Sequence, residues 1–355
     1  KISSYADSLA LLSCFFQKPW SILYNGLNEA SSGGVFNFVG TDLSGMCRFN
    51  DAIEPLEIAA NLRVEQGCWS EAEVNFRGLS EAHLSLGNLI EATNFAQQAV
   101  FYGQQQSDML YQMASLTTLA NCFHQTNLKE MALKEYQKAE TIQKNDRPYE
   151  PFLYGVQGYN YCDLLLEVGD NESAHDRIKA SLNIATGKRE ISLLSNMLPI
   201  LSLAKAFNKE GEWELFEQAI DDSIAGLRLI GRQDYLLTAI LVHVSYLGLK
   251  ENFSLSYNYL QEIYEIAEPS GMRLHLTDYH LEMARLILAV EADPAQYPEA
   301  TPEREQRILP FADQEEPGIL ILQGHIAEAD RLINETGYHR RDAELAELKQ
   351  QADMS

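Results

Sequence analysis

One spacing runs through most of this chain and limits what it can fold into. Residues 113–143, MASLTTLANCFHQTNLKEMALKEYQKAETIQ, read as two helices joined by a short polar turn. Leu116, Leu119, Ala120 and Phe123 recur at three- and four-residue steps, so they share one helical face. Beyond Gln125-Thr126-Asn127, where Asn127 is placed to cap the second helix, Ala132, Tyr136 and Ala139 do the same. The small residue at Ala132 lets the two helices approach, and a bulkier one there should cost about 1–3 kcal/mol. The register repeats as Ala52, Ala92, Ala132, Ala174, Phe216 and Ser256, at intervals of 40, 40, 42, 42 and 40. Sixteen residues upstream of each stand Phe36, Phe76, Leu116, Gly158, Ile200 and Ile240. Seven downstream stand Ala59, Ala99, Ala139, Ser181, Ser223 and Ile263. Six registered copies predict an all-α stack of antiparallel helix pairs, each touching only its neighbours.

The punctuation agrees with that register. Pro55 and Pro199 are expected in the first turns of their helices, where a missing N–H is tolerated. Pro148 and Pro151 separate the third copy from the fourth, and Pro269 follows the sixth. Residues 1–34 are expected to hold a capping helix and a linker containing Ser31-Ser32-Gly33-Gly34, and residues 35–290 the array. Residues 291–317 hold five of the eleven prolines and many acids, which predicts a loop or disordered insertion. It interrupts a seventh pair, 277–290 with 319–335, and a last helix with Asp342 as N-cap completes residues 318–355. The start at Lys1 rather than Met suggests a piece of a longer polypeptide.

Composition narrows the function classes. With 51 acidic against 27 basic residues the formal charge is −24, which repels nucleic acid and anionic membrane and serves solubility. No apolar run is long enough to span a bilayer. Residues 9–16, LALLSCFF, faintly share the outline of a lipoprotein cleavage box at Leu11-Leu12-Ser13-Cys14. Their shortness and the preceding Asp7 favour a first core helix. The five cysteines form no C-x-x-C pair and are odd in number, which points to a reducing, cytoplasmic compartment. Neither Gly33-Gly34 nor Gly187-Lys188-Arg189 continues into a phosphate-binding loop. His275 and His280 are five apart and so on different faces, and His243 falls at a packing position; no metal or other cofactor is expected. No nucleophile, paired acid or metal set rises above the packing pattern, so a non-catalytic role is expected.

The pattern resembles the tetratricopeptide repeat (TPR), best in Phe36-Val39-Gly40-Leu43-Ala52-Leu56-Ala59 and in Leu116-Leu119-Ala120-Phe123-Ala132-Tyr136-Ala139. Gly158, Phe216 and Ser256 depart from it. The resemblance implies a right-handed superhelix whose concave wall is made by the first helix of each pair, one and five residues beyond the bulky anchor. Those positions are Asn37 and Thr41, Arg77 and Glu81, Thr117 and Asn121, Tyr159 and Asp163, Leu201 and Lys205, and Leu241 and Ser245. His124, Glu167 and Asn208 follow one turn on. Nine of the twelve are polar or charged, suited to hydrogen bonding an extended peptide or a protein surface; they equally fit a solvated face between packing positions.

The ending GYHRRD, 337–342, and Gly158-Tyr159-Asn160-Tyr161-Cys162-Asp163 are similar to TPR regions of bacterial STAND (NACHT-type) signalling ATPases. That likeness implies a sensor segment whose NTPase and effector domains lie upstream in the same polypeptide. This chain has no Walker motif, so only the sensor role carries over. The basic cluster His339-Arg340-Arg341 could dock on such a domain or simply be solvated. Two alternatives stay open: a sugar-like small-molecule sensor, as in the repeat region of the maltose-regulon activator group, with Tyr159 beside Asp163, or a stand-alone assembly scaffold.

Overall fold

The computed structural model describes residues 2–105, 107–187, 192–292 and 318–354. The chain divides into two compact units, Lys1–Leu236 and Leu237–Ser355. In the first, α1 (Ile2–Ser13) and the antiparallel strands β1 (Phe16–Lys18) and β2 (Ile22–Leu23) precede the helix pairs. The pairs are α2 (Glu29–Gly45) with α3 (Phe49–Glu65), α4 (Trp69–Ser85) with α5 (Leu89–Gly103), and α6 (Met109–Gln125) with α7 (Lys129–Asp146). Next come α8 (Gly155–Val168) with α9 (Asn171–Gly187) and α10 (Leu193–Glu210) with α11 (Trp213–Ile230). Helix α12 (Gln233–Leu249) opens at the end of the first unit. The second unit continues with α13 (Phe253–Ser270), α14 (Arg273–Ala292), α15 (Gly318–Thr336) and α16 (Asp342–Met354).

Burial follows the sequence register. Ala52, Ala92, Ala132, Ala174, Phe216 and Ser256 are all at most 1% exposed, so the position is an inter-helix contact in every copy. The positions seven residues on are buried as well. The copy with Gly158 in place of the bulky anchor is completed from outside the repeat. A Cβ on Gly158 would stand 2.4 Å from the Leu153 carbonyl oxygen, so the backbone at Leu153 takes up the space of the anchor, and Leu153 itself is buried in the adjoining core cluster. In the second unit, Leu281, Ala284 and Ile287 of α14 pack with Leu322, Ile326 and Ala329 of α15 and with Leu345 and Leu348 of α16.

Many of the helices end alike, though α5 and α7 do not. A residue of positive φ follows the C-cap or forms it, and the next backbone N–H bonds the carbonyl five residues back. Examples are Arg48 to Leu43, Cys68 to Arg63, Leu128 to Phe123 and Asn252 to Leu247, at 2.8–2.9 Å. This Schellman closure satisfies end carbonyls and fixes the tight reversal that antiparallel packing needs. Glycine fills most of these left-handed positions, but Cys47, Asn127 and Glu251 fill three, with φ of 57°, 64° and 57°.

Several local expectations change. Asn127 does not cap α7; it is the left-handed residue ending α6, and α7 has Leu128 at its N-cap with no side-chain bond. Residues 31–34 are not a linker but the start of α2. Asn28 caps that helix by accepting from the Ser31 N–H at 2.8 Å, and Gly33 leaves room for the Arg63 side chain, whose Nε lies 3.0 Å from where a Cβ would be. Pro55 and Pro199 are each the seventh residue of their helices, not in the first turn. The helices begin earlier than the spacing suggests, and both prolines are buried within them. Pro269 lies inside the last turn of α13. Asp342 is the first residue of α16 rather than its cap, because the 3-10 turn His339–Arg341 runs straight into that helix. Helix α1 stops at Ser13, and Phe16 is buried from β1. The stretch 293–317, and Lys188 and Arg189, lie outside the described residues.

Candidate functional site

In the first unit the first helices of successive pairs, α2, α4, α6, α8 and α10, contact one another directly. Their neighbouring faces are therefore the closely spaced side of the stack. Cross-repeat bonds run along them: Asn37 Nδ2 donates to Asn75 Oδ1 at 2.8 Å, and His124 Nε2 meets Glu167 Oε2 at 3.0 Å. Lys205 Nζ donates to Asp163 Oδ1 at 2.6 Å and to the Tyr159 hydroxyl at 2.8 Å. Lys209 Nζ bonds the Leu166 carbonyl, and Lys129 Nζ pairs with Glu167 Oε1 at 2.8 Å.

Arg77 lies between two carboxylates of its own helix, with Nε 3.2 Å from Glu73 Oε1 and Nη1 3.4 Å from Glu81 Oε1. Glu73 is fully buried, one turn before Arg77, and its Oε2 has no hydrogen-bond partner. Burial pushes its carboxyl up to about 7, against the opposing pull of Arg77, so near neutrality it holds a proton much of the time. Glu81 remains half exposed.

The predicted wall residues thus fall into two groups. His124 with Glu167, and Lys205 with Tyr159 and Asp163, come together across repeats, while Arg77 pairs within its own helix with Glu73 and Glu81. Thr41 and Glu81 stay exposed, and Asn37 and Asn121 half-buried, with Asn121 Oδ1 accepting from Gln125 Nε2 at 3.0 Å. Asn208 is half-buried, and its Oδ1 accepts no hydrogen bond. Thr117 is corrected: it is 3% exposed, and its hydroxyl donates to the Ala114 carbonyl at 2.8 Å, so the helix itself uses it. Leu201 is buried. Leu241 and Ser245 belong to the second unit, where Leu241 is half-buried and Ser245 exposed.

Sequence reasoning missed Glu73, which lies four residues before a wall position and completes its stripe. It also missed Arg232, just before α12, and Asp234 and Tyr235 in the first turn of that helix, ahead of the registered positions. Arg232 grips Asp234 through Nε at 2.9 Å and Nη2 at 2.6 Å, and its guanidinium lies 5.0 Å from the Tyr235 ring centre. Tyr235 in turn meets Tyr159 edge-on, centroids 5.6 Å apart.

The second unit has its own polar centre. Arg341 donates from Nε to Asp278 Oδ1 at 2.7 Å and from Nη1 to Glu344 Oε1 at 2.6 Å, and Arg285 reaches Glu344 at 2.5 Å. Against the cost of burial, the two guanidinium groups hold the Glu344 carboxyl down to about 2. Arg341 of the basic cluster is therefore spent inside the unit. His280 and His325 face each other, Nδ1 to Nδ1 at 2.8 Å, an arrangement invisible to helical spacing because 45 residues separate them. Burial holds both rings neutral, His280 down to about 3 with His325 adding to the effect, and His325 down to about 4. Among the described residues no group of three or more side chains could hold a metal ion, and no helix is long and apolar enough to cross a membrane.

No protein-family model matches the sequence, and no curated protein sequence matches it. Among solved structures the chain is similar to a Rap protein complexed with competence and sporulation factor. The TM-score is 0.60 at 15% identity, over 92% of this chain and 81% of that one. At that identity the likeness speaks for the fold alone, and with the helix pairs described above it makes this chain an all-α solenoid with a TPR-like helical repeat.

Proposed function

We propose that the chain is a non-catalytic recognition module that holds an extended peptide or a protein segment along the closely spaced faces of α2, α4, α6, α8 and α10. The observation that carries this reading is the division of labour along that wall. Paired charges fix neighbouring repeats to each other, while Asn37, Thr41, Glu81, Asn121 and Asn208 keep polar groups along the same stripe. Asn121 is the clearest case, since its half-buried amide bonds only within its own helix, to Gln125, among the hydrogen bonds described. The fold is compatible, because the similar Rap protein was solved complexed with competence and sporulation factor.

In this reading residues 35–290 serve as the array, and the chain is the cytoplasmic sensor segment of a larger bacterial STAND-type signalling protein, with NTPase and effector domains upstream. The sequence likeness at 337–342 supports that context less than its composition suggests. Tyr338 is buried and Arg341 pairs with Asp278, so the motif also has a purely structural use. The sugar-sensor reading loses its main residue, because Tyr159 is 6% exposed and already in contact with Lys205 and Tyr235.

The test is to pan a phage-displayed library of random peptides against the chain and measure the selected peptides against variants. Glu81→Arg and Asn121→Arg should each weaken binding about tenfold or more, roughly 1.4 kcal/mol. Glu130→Arg, on the exposed side of α7, should leave it unchanged. Peptides that ignore both wall variants would remove the site.

A further inference from the structure

The histidine pair of the second unit differs in kind from the histidine contacts to carboxylates. His124, His175 and His339 each meet an acid, whereas His280 of α14 and His325 of α15 present Nδ1 to Nδ1 at 2.8 Å. Their ring planes are inclined by 45°, with centroids 5.0 Å apart, and both residues are half-buried. Tyr279, 3% exposed, lies edge-on to both rings, with centroids 5.0 and 5.9 Å away. Burial pushes its hydroxyl up to about 12, so it packs against the pair and offers no phenolate. Glu328, three residues beyond His325, has both carboxylate oxygens bonded by Arg331.

A separation of 2.8 Å is a hydrogen-bond length, and it is also the span of two nitrogens bound to one first-row metal ion. With bonds of about 2.0–2.1 Å, two ligands at a right angle stand about 2.8–3.0 Å apart, and two tetrahedral ligands about 3.3–3.4 Å. We propose that His280 and His325 form a two-imidazole site for a nickel- or copper-type divalent ion, bound through both Nδ1 atoms with water in its remaining positions. The narrow span suits square-planar or octahedral ions over tetrahedral zinc, and nitrogen donors disfavour magnesium and calcium. Neutral imidazole is the ligand form, and burial already keeps both rings neutral. No net proton is lost on binding, because the ring that donates its Nδ1 proton gives it to solvent and takes one up at Nε2. The bound ion ties α14 to α15 through side chains 45 residues apart in sequence. This site lies in the second unit and is independent of the peptide-binding reading.

Ni(II) is the probe, because Cu(II) would oxidise the chain's free thiols. In equilibrium dialysis of the full chain, His280→Gln and His325→Gln should each weaken Ni(II) binding about tenfold or more, since each removes one of two ligands held together by the fold. His339→Gln, at an exposed position outside the pair, should leave binding unchanged, and excess Mg(II) should not compete. Melts in EDTA check that the variants fold. X-ray absorption at the nickel edge of the unsubstituted chain needs no variant and should show two imidazoles on each ion. The proposal is overturned if Ni(II) does not bind, if both pair variants bind it as tightly as the parent, or if the bound ion carries one imidazole or none.

Discussion

Replacing Gly158 with alanine tests whether Leu153 stands in for the missing anchor of the fourth helix pair. The new methyl carbon would lie 2.4 Å from the Leu153 carbonyl oxygen and 2.9 Å from its carbonyl carbon. Both are backbone atoms, held in place by a side chain that is 1% exposed, so neither can swing aside. Alanine is the better helix former by about 1 kcal/mol. Overpacking costs about 1–3 kcal/mol, and contact with fixed backbone belongs at or above the upper end. The net expectation is a loss of about 2 kcal/mol, or roughly 4–8 °C in Tm for a unit of this size. Gly248→Ala is the matched control: it is also helical, with nothing within 4 Å of the added carbon, and should gain about 0.5–1 kcal/mol. Thermal melts followed by circular dichroism give both signs. If Gly158→Ala stabilises as Gly248→Ala does, Leu153 does not occupy the anchor site.

Three further outcomes follow from the charged clusters. Glu73 has a folded value of about 7, above its unfolded 4.5, so its contribution to stability is complete below about 4.5 and lost as pH rises through about 7. Glu73→Gln should therefore match the parent in acid and outlast it above neutrality in urea denaturation. The second unit carries the opposite sign, because His280 and His325 are depressed to about 3 and 4 from 6.5. The unfolded chain takes up protons first as pH falls below 6.5, so stability should drop across that window, and His280→Phe with His325→Leu should flatten the profile. Lys205→Met leaves Asp163, only 17% exposed, without its cation and should cost about 3 kcal/mol, whereas adding Asp163→Leu should recover most of the loss, read by thermal melts.

The period carried the fold because small residues at helix crossings leave a mark that no local accident erases. Ala52, Ala92, Ala132 and Ala174 alone set four of the six crossings, each fully buried. Even the departures were packing statements, since Gly158 is glycine because another segment passes through that point. The failures were of another kind. A tight polar triplet such as Gln125-Thr126-Asn127 can end one helix or begin the next, and only the φ of Asn127 decides. Ser31-Ser32-Gly33-Gly34 has a linker's composition, but Asn28 and the Arg63 side chain make it helical. For the candidate site, spacing located the stripe but not its pairing. Lys205 with Asp163 and His280 with His325 join positions 42 and 45 residues apart, where either partner alone is an ordinary surface residue. Tyr235 left no signal, because it stands in the first turn of α12, five residues ahead of the registered Ile240, and its partner Tyr159 is 76 residues away.

Photo-crosslinking to a bound peptide addresses the recognition wall most directly. A photoactivatable residue at Asn121, on the α6 face that adjoins α4 and α8, is compared with one at the exposed Gln137 on α7. With a library-selected peptide bound, the residue at Asn121 should cross-link and the one at Gln137 should not. Cross-linking confined to Gln137 would mean that the polar stripe serves only to hold the repeats together and that the ligand, if any, sits elsewhere.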